Sequence, residues 1–245
     1  MALGNVIGSN IANISLVLGL TTLLFPLAFQ ERLYKFDIPV MLFASVLFGV
    51  FLYTNATLEA WEGFVFVSLL VLLTSYMISR SRKEEKLKAP SVQDTMPLPK
   101  LLMYLFLGAV CLYFGSRFLV DAASGLARVM GLSERVISVS IVAFGTSVPE
   151  LAASIIAAFK KEKDLSIGNL IGSNIFNVFA VLGITSIIKP IAIVDHSLLS
   201  NDIWWMFGVS LLLFPMMFLF QKGHIGRVEG GVLLFVYITY ICFLF

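Results

Sequence analysis

Residues 38–54 read IPVMLFASVLFGVFLYT, a run with no charged side chain. Segments of about 17–25 such residues cross a bilayer as helices, because a helix satisfies its own backbone hydrogen bonds where no water can. The chain holds eight candidates: 3–29, 38–54, 61–79, 98–119, 136–159, 167–188, 202–220 and 229–245. They are too long and too evenly apolar to be the alternating strands of a membrane barrel. Of the 245 residues, 59% are hydrophobic and 13% charged, a balance no water-soluble core of this size needs. The expectation is an all-α integral membrane protein whose main partner is the lipid bilayer. Nothing points to nucleic acid or to a cofactor.

The first residues lack a basic region followed by a short apolar block and a small-residue site, so no cleaved leader is expected. Cys111 and Cys242 sit inside apolar spans and imply neither a disulfide framework nor a zinc site. Basic residues gather in cytoplasmic loops. If the charged stretch RSRKEEKLKAPSVQDTMPLPK, residues 80–100, is a cytoplasmic linker, then 13 of the 17 Lys and Arg residues fall inside, and only Arg117, Arg128, Arg135 and Lys189 fall outside. Both termini are then extracytoplasmic, in a plasma (inner) membrane.

An internal repeat adds a further constraint. Residues 2–27, ALGNVIGSNIANISLVLGLTTLLFPL, align without gaps to residues 166–191, SIGNLIGSNIFNVFAVLGITSIIKPI, with 13 identities in 26 positions. Weaker echoes follow: Asp37-Ile38 against Asp202-Ile203, and Glu62-Gly63 against Glu229-Gly230. The first of these helices and its twin cross the membrane in opposite senses, the inverted-repeat arrangement of secondary transporters. The second repeat also contains spans 98–119 and 136–159, which have no counterpart before Met1. The organisation expected is therefore a partial first repeat of three helices (1–79), a linker (80–100) and a complete second repeat of five (101–245), an eight-helix, N-terminally truncated version of a five-plus-five duplication.

The most unusual chemistry lies in VAFGTSVPELAAS, residues 142–154. Pro149 lacks an amide donor and leaves a carbonyl one turn earlier free, in the Ala143–Gly145 region, close to the hydroxyls of Thr146 and Ser147. Glu150 follows one turn after Thr146. A carboxylate in mid-span costs roughly 2.5 kcal/mol or more on insertion, so it is expected to face a polar cavity and bind an ion, a proton or a partner charge. Hard cations such as Ca²⁺ and Na⁺ take oxygen ligands. GNLIGSNIFN, residues 168–177, adds Ser173, Asn174 and Asn177, with Ser173 and Asn177 on one helical face.

VAFGTSVPELAAS followed by IGNLIGSNIFNVFAVLG closely resembles the second alpha-repeat of the cation/Ca²⁺ exchanger superfamily, particularly the prokaryotic Na⁺/Ca²⁺ exchangers, and LGNVIGSNIANISLVLG resembles the latter half of the first. The resemblance implies ten helices in two inverted repeats, with Na⁺ and Ca²⁺ carried near the midplane by alternating access. It implies Glu150 as the central carboxylate, Thr146 and Ser147 as oxygen donors, and the Ala143 carbonyl as a backbone ligand. Ser173, Asn177, Ser9 and Asn13 complete the metal ligands. The family's first-repeat glutamate helix has no match in this sequence. Coupling to Na⁺, to H⁺ or to K⁺ remains open, as does a non-transporting fragment or scaffold that needs the missing helices. An enzyme is not expected: Ser147 has no histidine or lysine placed to activate it, and there is no H-E-x-x-H zinc helix.

Overall fold

A computed structural model of the chain describes residues 1–28, 31–85, 96–219 and 224–244. Residues 86–95 of the linker, with Lys86 and Lys88, lie outside the described residues, as do Lys222 and the last residue of the final span. Among the described residues, eight helices are long and apolar enough to cross a membrane: α1 (Ala2–Leu24), α2 (Leu33–Asn55), α3 (Ala60–Arg82), α4 (Leu98–Val129), α5 (Glu134–Phe159), α6 (Asp164–Ile188), α7 (Leu198–Met216) and α8 (Arg227–Leu244). Each coincides with one expected span. The largest difference is α4, which runs ten residues past the expected end at 119. Its charges are accommodated locally: Arg117 pairs with Asp121 at 3.6 Å one turn away, and Arg128 meets Glu134 at 2.7 Å. The Arg117–Asp121 pair thus sits within the helix and not near its end.

Helix α1 is buried along most of its length and forms the centre, whereas α4 is exposed along nearly all of it and packs chiefly against α5. Among the described residues, four two-residue strands tie the ends of the helices together: β1 (Leu27–Ala28), β2 (Thr57–Leu58), β3 (Ile191–Ala192) and β4 (His224–Ile225). β1 pairs antiparallel with β4, and β2 with β3. Given eight crossings, β1 and β4 lie on one side of the membrane and β2 and β3 on the other.

These contacts recur at the spacing of the sequence repeat. α1 packs on α8 as α6 packs on α3. An added Cβ at Gly63 would lie 2.6 Å from the Gly183 carbonyl oxygen, and one at Gly230 would lie 2.8 Å from that of Gly19, so glycine is what lets these backbones touch. The Glu62 carboxylate accepts the Glu59 amide at 2.8 Å, and Glu229 accepts that of Gly226 at 2.9 Å. Each carboxylate thereby satisfies a free donor at the start of its helix.

A π-helical stretch interrupts α1 at Ala12–Leu18, α5 at Ile137–Val142 and α6 at Asn177–Leu182, each inside a helix of the central group. Such stretches often accompany functional sites, because they re-aim the side chains that follow.

Candidate functional site

Where α1 crosses α6, four asparagines form a nearly two-fold set of hydrogen bonds. Asn13 Nδ2 donates to Asn174 Oδ1 at 2.9 Å, and its repeat mate Asn177 donates to Asn10 Oδ1 at the same distance. Asn10 Nδ2 donates to the Asn174 carbonyl at 3.4 Å, and Asn174 Nδ2 to the Asn10 carbonyl at 3.1 Å. Even the thioethers match, Met206 Sδ beside Asn10 and Met41 Sδ beside Asn174. Asn177 also donates to Ser9 Oγ at 3.1 Å, while Ser9 Oγ donates to the Val6 carbonyl at 3.2 Å. Asn174, one of the oxygens counted from the sequence, and its repeat mate Asn10 are both absent from the ligand set that the family resemblance implies, although their identical placement in the duplicated motif was visible in the sequence.

The kinked helix α5 lies against α1. Since Pro149 has no amide hydrogen, the carbonyl it frees is that of Gly145, four residues back. Ser116 Oγ of α4 donates to this carbonyl. An added Cβ at Gly145 would meet Val120 Cγ2 at 2.2 Å, so glycine is required for α4 to reach the carbonyl. The Ala143 carbonyl accepts Thr146 Oγ1 at 3.1 Å, and the same hydroxyl lies 3.1 Å from Asn5 Oδ1 on α1. Ser147 is buried.

Glu150 is half-buried and lines a cavity of about 750 Å³ between α2, α3, α5 and α6. Gly168, Asn169, Gly172, Ser173 and Asn177 of α6 share its wall, together with Asp37 and Asp164 near the starts of α2 and α6. Both of those helices begin on the linker side, so the cavity runs from that side to the level of Glu150 and Ser173. Ser173 is nine residues into α6 from Asp164, roughly 13 Å of helical rise and close to the middle of a ~30 Å hydrocarbon layer.

Of the residues singled out from sequence, the cavity gathers Glu150, Ser173 and Asn177. Ser9 and Asn13 sit in the α1–α6 crossing, and Thr146, Ser147 and Ala143 at the α1–α5 contact. Three buried oxygens among these residues, Asn13 Oδ1, Ser147 Oγ and Glu150 Oε2, have no donor directed at them. Buried acceptors without a donor are costly and rare, and a cation is the group that several oxygens can share. Among the described residues no three His, Cys, Asp or Glu side chains converge, so the ligand chemistry here is one carboxylate with hydroxyls and amides.

Comparison with known proteins matches residues 1–79 and 100–245 to the family described as sodium/calcium exchanger protein. A candidate antiporter of Alkalimonas amylolytica, CaxA, is 38% identical, the alignment covering 100% of this chain and 78% of that protein. The sodium/calcium exchanger MaX1 of Methanosarcina acetivorans is 29% identical over 100% of this chain and 80% of its own length. The solved structure of the sodium–calcium exchanger NCX_Mj, soaked in Na⁺ and Ca²⁺, superposes with a TM-score of 0.76 at 28% identity, covering 98% of this chain and 75% of that one.

Proposed function

The chain belongs to the sodium/calcium exchanger family and is a multi-pass secondary transporter of the antiporter type, and from that premise we propose that it exchanges Ca²⁺ for Na⁺ at a midplane site centred on Glu150. The observation that carries this proposal is the group of buried oxygens without donors, Glu150 Oε2, Ser147 Oγ and Asn13 Oδ1. Thr146, the Ala143 carbonyl, Ser173, Asn177 and Ser9 supply the remaining oxygens as the helices shift between states. The cavity past Asp37 and Asp164 is the path from the linker side, which the basic-residue bias makes cytoplasmic.

The energetic logic rests on the carboxylate. A single ionised Glu150 in hydrocarbon is unfavourable unless a cation neutralises it, so the helices that enclose it close more readily on an occupied site. Ca²⁺ and Na⁺ compete for the same oxygens, and a gradient of one then drives the other by alternating access. The three-plus-five repeat arrangement belongs to the same proposal, with 1–79 and 101–245 as the two halves around the linker.

Uptake of radiolabelled Ca²⁺ into vesicles from cells expressing the chain tests the proposal, under an imposed Na⁺ gradient in one arm and a pH or K⁺ gradient in the others. Uptake driven by Na⁺ supports it. Uptake driven only by the pH or K⁺ gradient replaces the coupling ion, and a proton is the obvious competitor because a carboxylate binds it readily.

A further inference from the structure

The Asn10 and Asn174 side chains spend their polar atoms inside the α1–α6 crossing. Each Nδ2 donates to the other residue's backbone carbonyl, at 3.4 and 3.1 Å, with the thioether of Met206 or Met41 as its second neighbour. A carbonyl and a thioether only accept, so neither amide can be turned over. The Oδ1 of each residue is thereby fixed as an acceptor. Asn174 Oδ1 takes the Asn13 amide and Asn10 Oδ1 takes the Asn177 amide, both at 2.9 Å. Asn177 Nδ2 spends its second hydrogen on Ser9 Oγ at 3.1 Å.

This order continues outward. With the nitrogens of Asn13 and Asn177 committed, their oxygens are what remain. Asn13 Oδ1 is buried with no donor directed at it, and Asn177 stands in the cavity wall with Glu150. The two ends of a carboxamide are nearly equal in size and opposite in polarity, so shape alone does not choose between them. Turned over, either residue would offer N–H hydrogens to a cation that takes oxygen ligands.

We propose that Asn10 and Asn174 are positioning residues for cation binding: each holds the amide across the crossing, Asn177 or Asn13, with its oxygen toward the ion, and neither touches the ion itself. The orientation originates in two backbone carbonyls, so it is set before an ion arrives. It is also reciprocal, since α1 orients the ligand on α6 and α6 the ligand on α1. The role rests on the proposed cation site at Glu150. Interhelical adhesion, the ordinary task of amides in membrane helices, would join α1 to α6 without regard to which end of Asn13 is left over.

Radiolabelled Ca²⁺ binding to the purified full chain, read beside its melting temperature, separates the two roles. Asn174→Asp keeps an oxygen toward Asn13 Nδ2 in either protonation state, whereas Asn174→Leu removes it. Asn174→Leu is expected to weaken Ca²⁺ binding roughly 10–100-fold, the usual effect of losing a group that orients a metal ligand, and Asn174→Asp to retain it. In an Asn13→Ala background the two variants bind alike, because the oxygen they orient is gone. Asn10→Leu and Asn10→Asp, with Asn177→Ala as background, repeat the test from the other half and answer it where Asn174→Leu does not fold. Glu150→Gln tests the site separately: binding that it leaves unchanged overturns the site. Where binding does depend on Glu150, three results overturn the positioning role alone. They are Asn174→Leu binding as tightly as the unaltered chain, Asn174→Asp losing as much affinity as Asn174→Leu, and a difference between them that persists without Asn13.

Discussion

Asn10 and Asn174, 164 positions apart, each donate a side-chain amide to the other's backbone carbonyl, at 3.4 and 3.1 Å. Both side chains are buried and both backbones are helical, so the pair joins α1 to α6 at the centre of the molecule. Asn174→Ala leaves the Asn13 amide without its acceptor and the Asn10 backbone carbonyl without its side-chain donor. The expected loss is about 1–3 kcal/mol, the cost of orphaned buried polar groups, and it appears as a lower melting temperature in detergent. Because Asn13 and Asn174 share one side-chain bond, Asn13→Ala combined with Asn174→Ala costs less than the sum of the single changes. Full additivity would show that the two amides act independently.

Gly8 and Gly172 are identical by sequence and opposite in environment. A Cβ at Gly8 would overlap the Val139 carbonyl, whereas one at Gly172 meets open space. Gly8→Ala therefore lowers thermal stability, by about 1–3 kcal/mol for an overpacked contact. Gly172→Ala is neutral or raises stability by up to about 1 kcal/mol, the difference in helix propensity. Equal losses at the two positions would mean that the Gly172 face is covered in the isolated chain.

Arg135 grips Asp202 through two hydrogen bonds, at 2.8 and 2.9 Å, and the Tyr240 hydroxyl donates to the same carboxylate at 3.2 Å. Asp202 is fully buried and Arg135 largely so, and the pair joins the start of α5 to α7 and α8. Removing one charge, as in Arg135→Met, strands the other and is expected to cost about 3–5 kcal/mol. Arg135→Met with Asp202→Leu recovers most of that loss. Thermal unfolding of the two single variants and the double variant measures this directly.

Much of this was legible in the sequence, for physical reasons that also mark where it stopped. The eight spans could be read because hydrocarbon demands long apolar helices. The true end of α4 was hidden because Arg117, Asp121 and Arg128 look like a boundary until their pairing with each other and with Glu134 is seen. The freed carbonyl before Pro149 follows from backbone chemistry, but the hydroxyl that takes it, Ser116, lies 29 residues away and no local pattern announces it. The duplicated asparagines stood out as polar residues in apolar spans. That Asn10 and Asn174 bond to each other depends on how α1 and α6 cross, which a repeat offset alone does not specify. Arg135 and Asp202, 67 positions apart, were two separate charges until the fold brought them together.

The central claim is that Glu150 is the carboxylate through which Ca²⁺ and Na⁺ exchange. The most direct measurement is radiolabelled Ca²⁺ uptake into vesicles under an imposed Na⁺ gradient, comparing the chain with its Glu150→Gln variant. Glu150→Gln keeps the shape and removes the charge. The account predicts gradient-driven uptake that the variant loses while its amount in the membrane is unchanged. Uptake by Glu150→Gln equal to that of the unaltered chain, or no Na⁺-driven uptake by the unaltered chain, would contradict it.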